Sequence, residues 1–430
     1  MRRALSSFAA LALLVARPSS AQTLRQDIQN LFKFGTCTQP LCLSLNGPSN
    51  IHGNHFIGSS VEANGDLIAF LYGAVGQTLG SIPISATTSG ATFRFVNGAP
   101  VSTATSAGPI FAERAQTLGR GALLVGVNTT RIGFNRLRGT NLKDLSFNFS
   151  HADAGQPGLG DFASEYDYIN VRPSLTLNLQ STAVFATYGV SDRFDVGVAV
   201  PVVYVSMKGS SNASILNVGG PPSGLHYFGT DPANPQYSAS TSVSGSHTGL
   251  GDVAVRAKAH VVDGERVGFS ILGDARLPTG DNDNFTGTGH VAIRALGILS
   301  AHLGDFSPHL NGGYAFRSGT DQTDAALLTA GFDQLVGTKT TVAVDLISEL
   351  PTGTSPLKLP QSITYVGTHA GTLAATNIPE RTDDIVNLSA GAKFNLSGTM
   401  LVVNGILPLG NGGLQAHSGI FTLGLEHTFR

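Results

Sequence analysis

From about Thr117 onward, apolar and polar residues alternate one for one in segment after segment. Successive side chains of a strand point to opposite faces, so each segment is a strand with one oily and one wet side. The last one is typical: Phe421, Leu423, Leu425, His427 and Phe429 share one face, and Thr422, Gly424, Glu426 and Thr428 the other. Working back from the C-terminus, the segments are 417–429, 399–408, 384–397, 339–350, 324–336, 306–317, 288–302, 265–277, 249–261 and 193–207. Most run to ten residues or more, against the ~5–6 usual in globular sheets. Their connections alternate in length. Short ones fall at 397–399, 337–339, 304–306, 263–266 and 191–193; longer loops fall at 409–416, 351–383, 318–323, 278–287 and 208–248.

A half-exposed sheet in water would also alternate. A soluble sandwich, however, has no reason to collect its tight turns at one end and its long loops at the other, whereas an outer-membrane barrel does. The expected fold class is therefore all-β, an antiparallel transmembrane β-barrel. One long strand over 168–190 together with 117–134 gives 12 strands; splitting 168–190 and pairing 142–149 gives 14. Charge stays on one face of the strands, as expected where a charge on the lipid face near midplane costs about 2–4 kcal/mol. The chain has no Trp, so Phe and Tyr would have to form the interfacial girdles. No stretch after the N-terminal leader approaches the ~20 apolar residues of a spanning helix.

The first 22 residues, "MRRALSSFAALALLVARPSSAQ", place Arg2 and Arg3 before an apolar run from Phe8 to Ala16, then Pro18 and small residues. This is the layout of a signal peptide, 1–21, cleaved after Ala21. Residues 22–116 lack the alternation. They hold a helix-like cluster (Leu67, Ile68, Phe70, Leu71, Val75) and a hairpin signal at Asn97-Gly98, and are expected to form an N-terminal plug or a small periplasmic segment ahead of the barrel at 117–430. Cys37 and Cys42, close together in an exported chain, are expected to form a small disulfide loop.

Several functions are disfavoured. A net charge of −2 and the lack of a Lys/Arg-rich run give no basis for nucleic-acid binding. There is no Gly-x-Ser-x-Gly or His-Glu-x-x-His arrangement, and no enzyme or cofactor is expected. Asp281, Asp283 and Asn284 could offer oxygen ligands to calcium, but without a downstream bidentate Glu they read as an acidic loop, and no metal site is assigned. The candidate functional residues are the inward-facing charges: Asp252, Arg256, Lys258, Asp274, Arg276, Arg294, Arg317, Asp345, Glu349, Lys393 and Glu426. They either pair and fill a narrow barrel or line a polar conduit.

"GLGD" (249–252) opening a strand, "RLPTGD" (276–281) closing the next, and "YGVSDRFDVGVAVP" (188–201) resemble the family described as "putative MetA-pathway of phenol degradation". The resemblance implies an outer-membrane barrel, grouped with long-chain fatty-acid and aromatic-hydrocarbon channels. Its motifs are structural turns rather than catalytic residues. The Asn-Pro-Ala hatch motif of the fatty-acid channels is not evident in 22–116. Strand pattern and resemblance together give an expectation of passive transport of small molecules, apolar ones included, across the bacterial outer membrane. The alternative is a non-transporting envelope barrel with a closed, charge-paired interior. Expected partners are outer-membrane lipids, an unidentified small solute, and the barrel-insertion machinery, which would read the aromatic-ended C-terminal strand.

Overall fold

The alternating segments close on themselves. The computed structural model describes residues 22–34, 56, 74–75, 92–96, 99–104, 106–155, 157–229, 231, 233–320 and 322–429. Among these, twelve strands form a closed antiparallel barrel: β1 Leu123–Phe134, β2 Asp167–Ser191, β3 Phe194–Asn217, β4 Ala254–Asp263, β5 Val267–Arg276 and β6 Ala292–Ala301, followed by β7 Phe306–Arg317, β8 Ala325–Val336, β9 Thr340–Pro351, β10 Ile385–Leu396, β11 Thr399–Pro408 and β12 Ile420–Phe429. Each pairs with the next, and β12 pairs with β1 from Ile420↔Ile132 to Phe429↔Leu123. Residues 168–190 lie in one unbroken strand, β2, so the count of 12 holds for the wall and the split that would give 14 does not occur. The sheet has 14 members, but Phe147–Ser150 and Ser238–Leu250 only flank the upper parts of β2 and β3, leaving 12 in the closed wall.

The loop expected at 208–248 is mostly strand. β3 runs on to Asn217, and Ser238–Leu250 returns along it from Ser214↔Ser238 to Val202↔Leu250 before the chain bends into β4. β2 and β3 are thus 25 and 24 residues long, where the other barrel strands have 10 to 12. The polar run Ser206–Ser214 concealed this, because it lacks the apolar alternation of a membrane strand. Its upper strands leave the lipid and need none.

The outward face of β3 shows where lipid ends. Val196, Val198, Val200, Val202 and Tyr204 point out, and then Ser206, Lys208, Ser210 and Asn212 take over. On β2, Val184 and Tyr188 point outward and Gln180, paired with Tyr204, opens the polar part. Ten residue steps from Phe194 to Tyr204 span about 33 Å of strand, or about 25 Å of height at the usual tilt, which matches the apolar band of outer-membrane barrels. Phe421, at 63% exposure, and Leu423, at 57%, are clear cases of apolar side chains turned away from the protein. An apolar belt of this height around a closed barrel places the chain in the bacterial outer membrane.

The tight turns lie at one end, as the spacing predicts. The β10–β11 connection has only Ser397 and Gly398 between strands, with φ of 57° and 98°, the positive values that a two-residue hairpin of matching twist requires. At the other end, the extended hairpin of β2 and β3 turns an apolar inner face toward the N-terminal helix α1 (Leu24–Asn30). Thr23 caps α1: its hydroxyl accepts from Gln26 N at 3.2 Å, and the Gln26 side chain accepts from Thr23 N at 3.1 Å. Leu24, Ile28 and Leu31 join Val171, Leu177, Val205, Met207 and Ile215 in one buried cluster. The close approach relies on two glycines, since a Cβ at Gly245 would lie 2.7 Å from Leu24 Cδ2 and one at Gly209 2.8 Å from Leu31 Cδ1.

The acidic loop holds this helix. Asn284 Oδ1 accepts from Leu24 N at 3.1 Å, and Asp283 pairs with Arg25 at 3.1 Å. The hairpin signal at Asn97-Gly98 corresponds to paired strands Thr92–Val96 and Ala99–Ala104. The signal segment 1–21, Cys37, Cys42 and the cluster Leu67–Leu71 lie outside the described residues.

Candidate functional site

Residues 106–118, just before β1, run through the short-turn half of the lumen. They are stitched to seven consecutive strands. Ser106 Oγ donates to Asp333 on β8 at 2.5 Å, and Ala107 N donates to Thr341 on β9 at 2.8 Å. Glu113 N donates to Asn311 on β7 at 2.7 Å, and Asn311 Nδ2 donates back to Glu113 O at 3.0 Å. Ala115 N donates to Ser300 on β6 at 3.0 Å, while the Ala115 carbonyl accepts from Ser270 on β5 and lies 2.8 Å from His260 Nδ1 on β4. Leu118 N donates to Asp195 on β3 at 3.0 Å. An irregular segment can cross a barrel interior only if its backbone groups find such partners.

Arg114 ties the segment to itself and to the wall. Its guanidinium is 2% exposed, pairs with Asp333 and donates to the Ser106 carbonyl at 3.3 Å. Asp333 also stands 3.7 Å from His309, whose other ring nitrogen meets Asp345 at 2.6 Å.

All eleven charges singled out from the sequence turn away from lipid, and the structure sorts them into small groups. Asp274 is the centre of the largest: Arg256 and Arg294 each approach it at 2.9 Å and Arg276 at 3.6 Å. Arg256 also reaches Glu113 at 3.3 Å, and Lys258 lies 3.7 Å from the same carboxylate. Arg317 pairs with Glu349, and Lys393 with Glu426 at 2.9 Å. Asp345 belongs to the His309 group.

Asp252 stands apart from these. It accepts from Gly280 N at 3.0 Å and from Thr288 N and Oγ1 at 2.8 and 2.7 Å. Thr279 Oγ1 accepts from Val253 N at 2.9 Å and donates to Gly251 O at 2.8 Å. The two motifs "GLGD" and "RLPTGD" are therefore hydrogen-bonding partners at the bend above β4.

Sequence reasoning missed Asp195, Asp333, Glu113 and Arg114. The two aspartates sit on inward faces of β3 and β8, so their strand parity could have revealed them. Glu113 and Arg114 carried no such signal, because only the insertion of 106–118 buries them.

Above this segment the lumen keeps open space, and the side chain of Phe111 divides it. One cavity, of about 70 Å³, has Phe134, Ile385, Ile406, Leu414 and Ile420 among its walls, with Gln415 and Asn387 beside them. The other, of about 100 Å³, is bordered by Glu113, Arg256, Arg294, Asn311 and Ser348. Phe111, Ile347 and Glu349 line both. The cavity beside β10–β12 is thus lined mainly by apolar side chains, and the one beside β4–β7 also by Glu113, Arg256 and Arg294.

Among solved structures, an outer-membrane channel from Pseudomonas putida F1 is 13% identical, covering 73% of this chain and 98% of its own, with a TM-score of 0.40. A FadL homologue from Pseudomonas aeruginosa is 13% identical over 73% and 90% of the two chains, at 0.30. A deletion mutant of the TodX monoaromatic hydrocarbon channel is 10% identical over 74% and 92%, at 0.29. No curated protein sequence matches the chain. The family described as "Putative MetA-pathway of phenol degradation" matches residues 162–331. That stretch contains "GLGD", "RLPTGD" and 188–201, the residues on which the resemblance rests, and over it the chain is similar to that family.

Proposed function

We propose that the protein is a passive outer-membrane conduit for small, mostly apolar molecules, closed at rest by residues 106–118. The observation that carries this reading is the way the lumen is filled. The obstruction is a separate segment, held by polar contacts and by Ile110, Phe111, Ala115 and Leu118 packed on the wall, with cavities left above it, rather than a core made of wall side chains alone. Polar contacts exchange with water at a modest net cost, about 0.5–1.5 kcal/mol each, so such a segment can be displaced without unfolding the barrel. In this reading 1–21 directs export and is removed, 22–116 acts as the plug, and 117–430 forms the wall. The C-terminal strand presents Phe429 to the insertion machinery, lipids surround the belt, and the grouped inward charges set what passes.

A second reading has a specific observation in its favour. The inward charges are grouped into compensating sets, as in a barrel whose interior only stabilises it. The two readings differ in liposomes. With purified protein reconstituted, uptake of a small neutral solute should exceed that of empty vesicles. Arg114→Ala, which removes the clamp on Asp333 and Ser106, should raise it several-fold. If neither the wild type nor Arg114→Ala admits solute while both remain heat-modifiable barrels, the conduit is ruled out and the structural barrel stands.

A further inference from the structure

Gln415 is the odd residue in the apolar cavity. It is 4% exposed, and among the described residues neither its Nε2 nor its Oε1 has a hydrogen-bond partner. It lies in the connection between β11 and β12, where its backbone is held on both sides: Asn135 N donates to its carbonyl at 3.0 Å, and it pairs with Arg136. The position is therefore built, yet the amide is left without partners against a wall that includes Phe111, Leu414 and Ile420. Leaving a buried polar atom without a partner is costly, and this side chain has two such atoms. Apolar walls with a few convergent polar groups are the usual make-up of a small-molecule site, and Thr130, Asn387 and Glu349 also line this one.

We propose that this cavity is a binding site for a small neutral molecule that is mostly apolar and carries one hydroxyl group, held by the Gln415 amide. The inference rests on the conduit reading and names the class of molecule the lumen would hold. A hydroxyl both accepts from Nε2 and donates to Oε1, so one group satisfies both orphan atoms. A ketone satisfies only Nε2. A carboxylate would bring a charge into apolar walls with Glu349 at their edge. The cavity's volume of about 70 Å³ is about half that of an engineered ~150 Å³ cavity that holds benzene. That limits the ligand to one small ring or a short chain.

Cyclopentanol, cyclopentanone and cyclopentanecarboxylate share a frame and differ in the group presented. Their binding to the full-length protein in nanodiscs can be followed by ligand-observed NMR, with empty nanodiscs as the reference. The alcohol should bind about tenfold more tightly than the ketone, and the carboxylate should not bind measurably. Gln415→Met keeps the volume and removes both hydrogen-bonding atoms, and it should bring alcohol and ketone to equal affinity. Equal binding of alcohol and ketone by the wild type overturns the site, and this comparison needs no variant. So does an alcohol preference that survives Gln415→Met, or no binding of any of the three. Solute uptake by liposomes without alcohol selectivity in this assay would reject the site alone. Selective binding without uptake would reject the conduit alone.

Discussion

Asp252 shows what a single inward carboxylate can be for. Its two oxygens take three hydrogen bonds from the loop above β5, and among the described residues no cation forms an ion pair with it. Hydrogen bonds to a charged acceptor are worth about 1.5–3 kcal/mol each, but they are not additive within one loop. Asp252→Ala is expected to loosen residues 277–291 by about 2–4 kcal/mol. Protease cleavage confined to that loop would report this; a loop as resistant as the wild type would show that the motif is dispensable. Glu165 plays a similar part at the top of β2. Burial raises its pKa, but backbone N–H groups of Gly160, Ala154, Phe162 and Asp161 outweigh that, and the net shift is downward. A folded value below the unfolded ~4.3 means that the stabilisation is complete above the ordinary carboxylate range and is lost as pH falls through the folded value. Amide protection of 151–166, taken relative to the intrinsic exchange rate at each pH, should therefore fall in acid, and Glu165→Gln should abolish that loss. Protection that stays constant with pH in the wild type would refute the assignment.

At the scale of elements, the inserted segment and the extended hairpin do most to distinguish this barrel from a plain cylinder. Residues 106–118 have no regular hydrogen-bond pattern of their own, so their order depends on side chains from β3 to β9. Arg114 is their main anchor, and breaking a buried pair from one side costs about 3–5 kcal/mol. That cost falls on the segment and not on the strand pairing, which is why Arg114→Ala is expected to open the lumen and leave the wall intact. The hairpin of β2 and β3 has the opposite economy. Its upper part pairs fully in the sheet and buries its inner face under α1, so it needs no lipid to be stable.

At the scale of the whole molecule, the wall is held by its ladder of strand pairs and by the surrounding hydrocarbon. The outward apolar residues have no protein to pack on, so their contribution is read only in a membrane. Val403, near the middle of β11 and 44% exposed, tests this. Val403→Arg should destabilise the barrel by about 2–4 kcal/mol in lipid, measured by denaturant refolding into vesicles. No change would mean that this face does not meet the bilayer core.

The strand period, the parity of the charged faces and the short and long connections were all legible, because each follows from the two-residue repeat of a strand in contact with lipid. Even Asp195 and Asp333 obey that repeat, although they were not picked out. The polar upper halves of β2 and β3 were not legible in the same way, since above the membrane nothing enforces an oily outer face. Glu113, Arg114 and Gln415 lie outside any repeat. Whether such residues face water, a lumen or a cavity is set by where the chain is carried after the wall has closed. The sequence by itself determined a barrel and which sides of its strands are wet. Only the tertiary structure decided what fills that barrel, because partners two hundred residues apart, such as Arg114 and Asp333, meet only once the barrel encloses the segment.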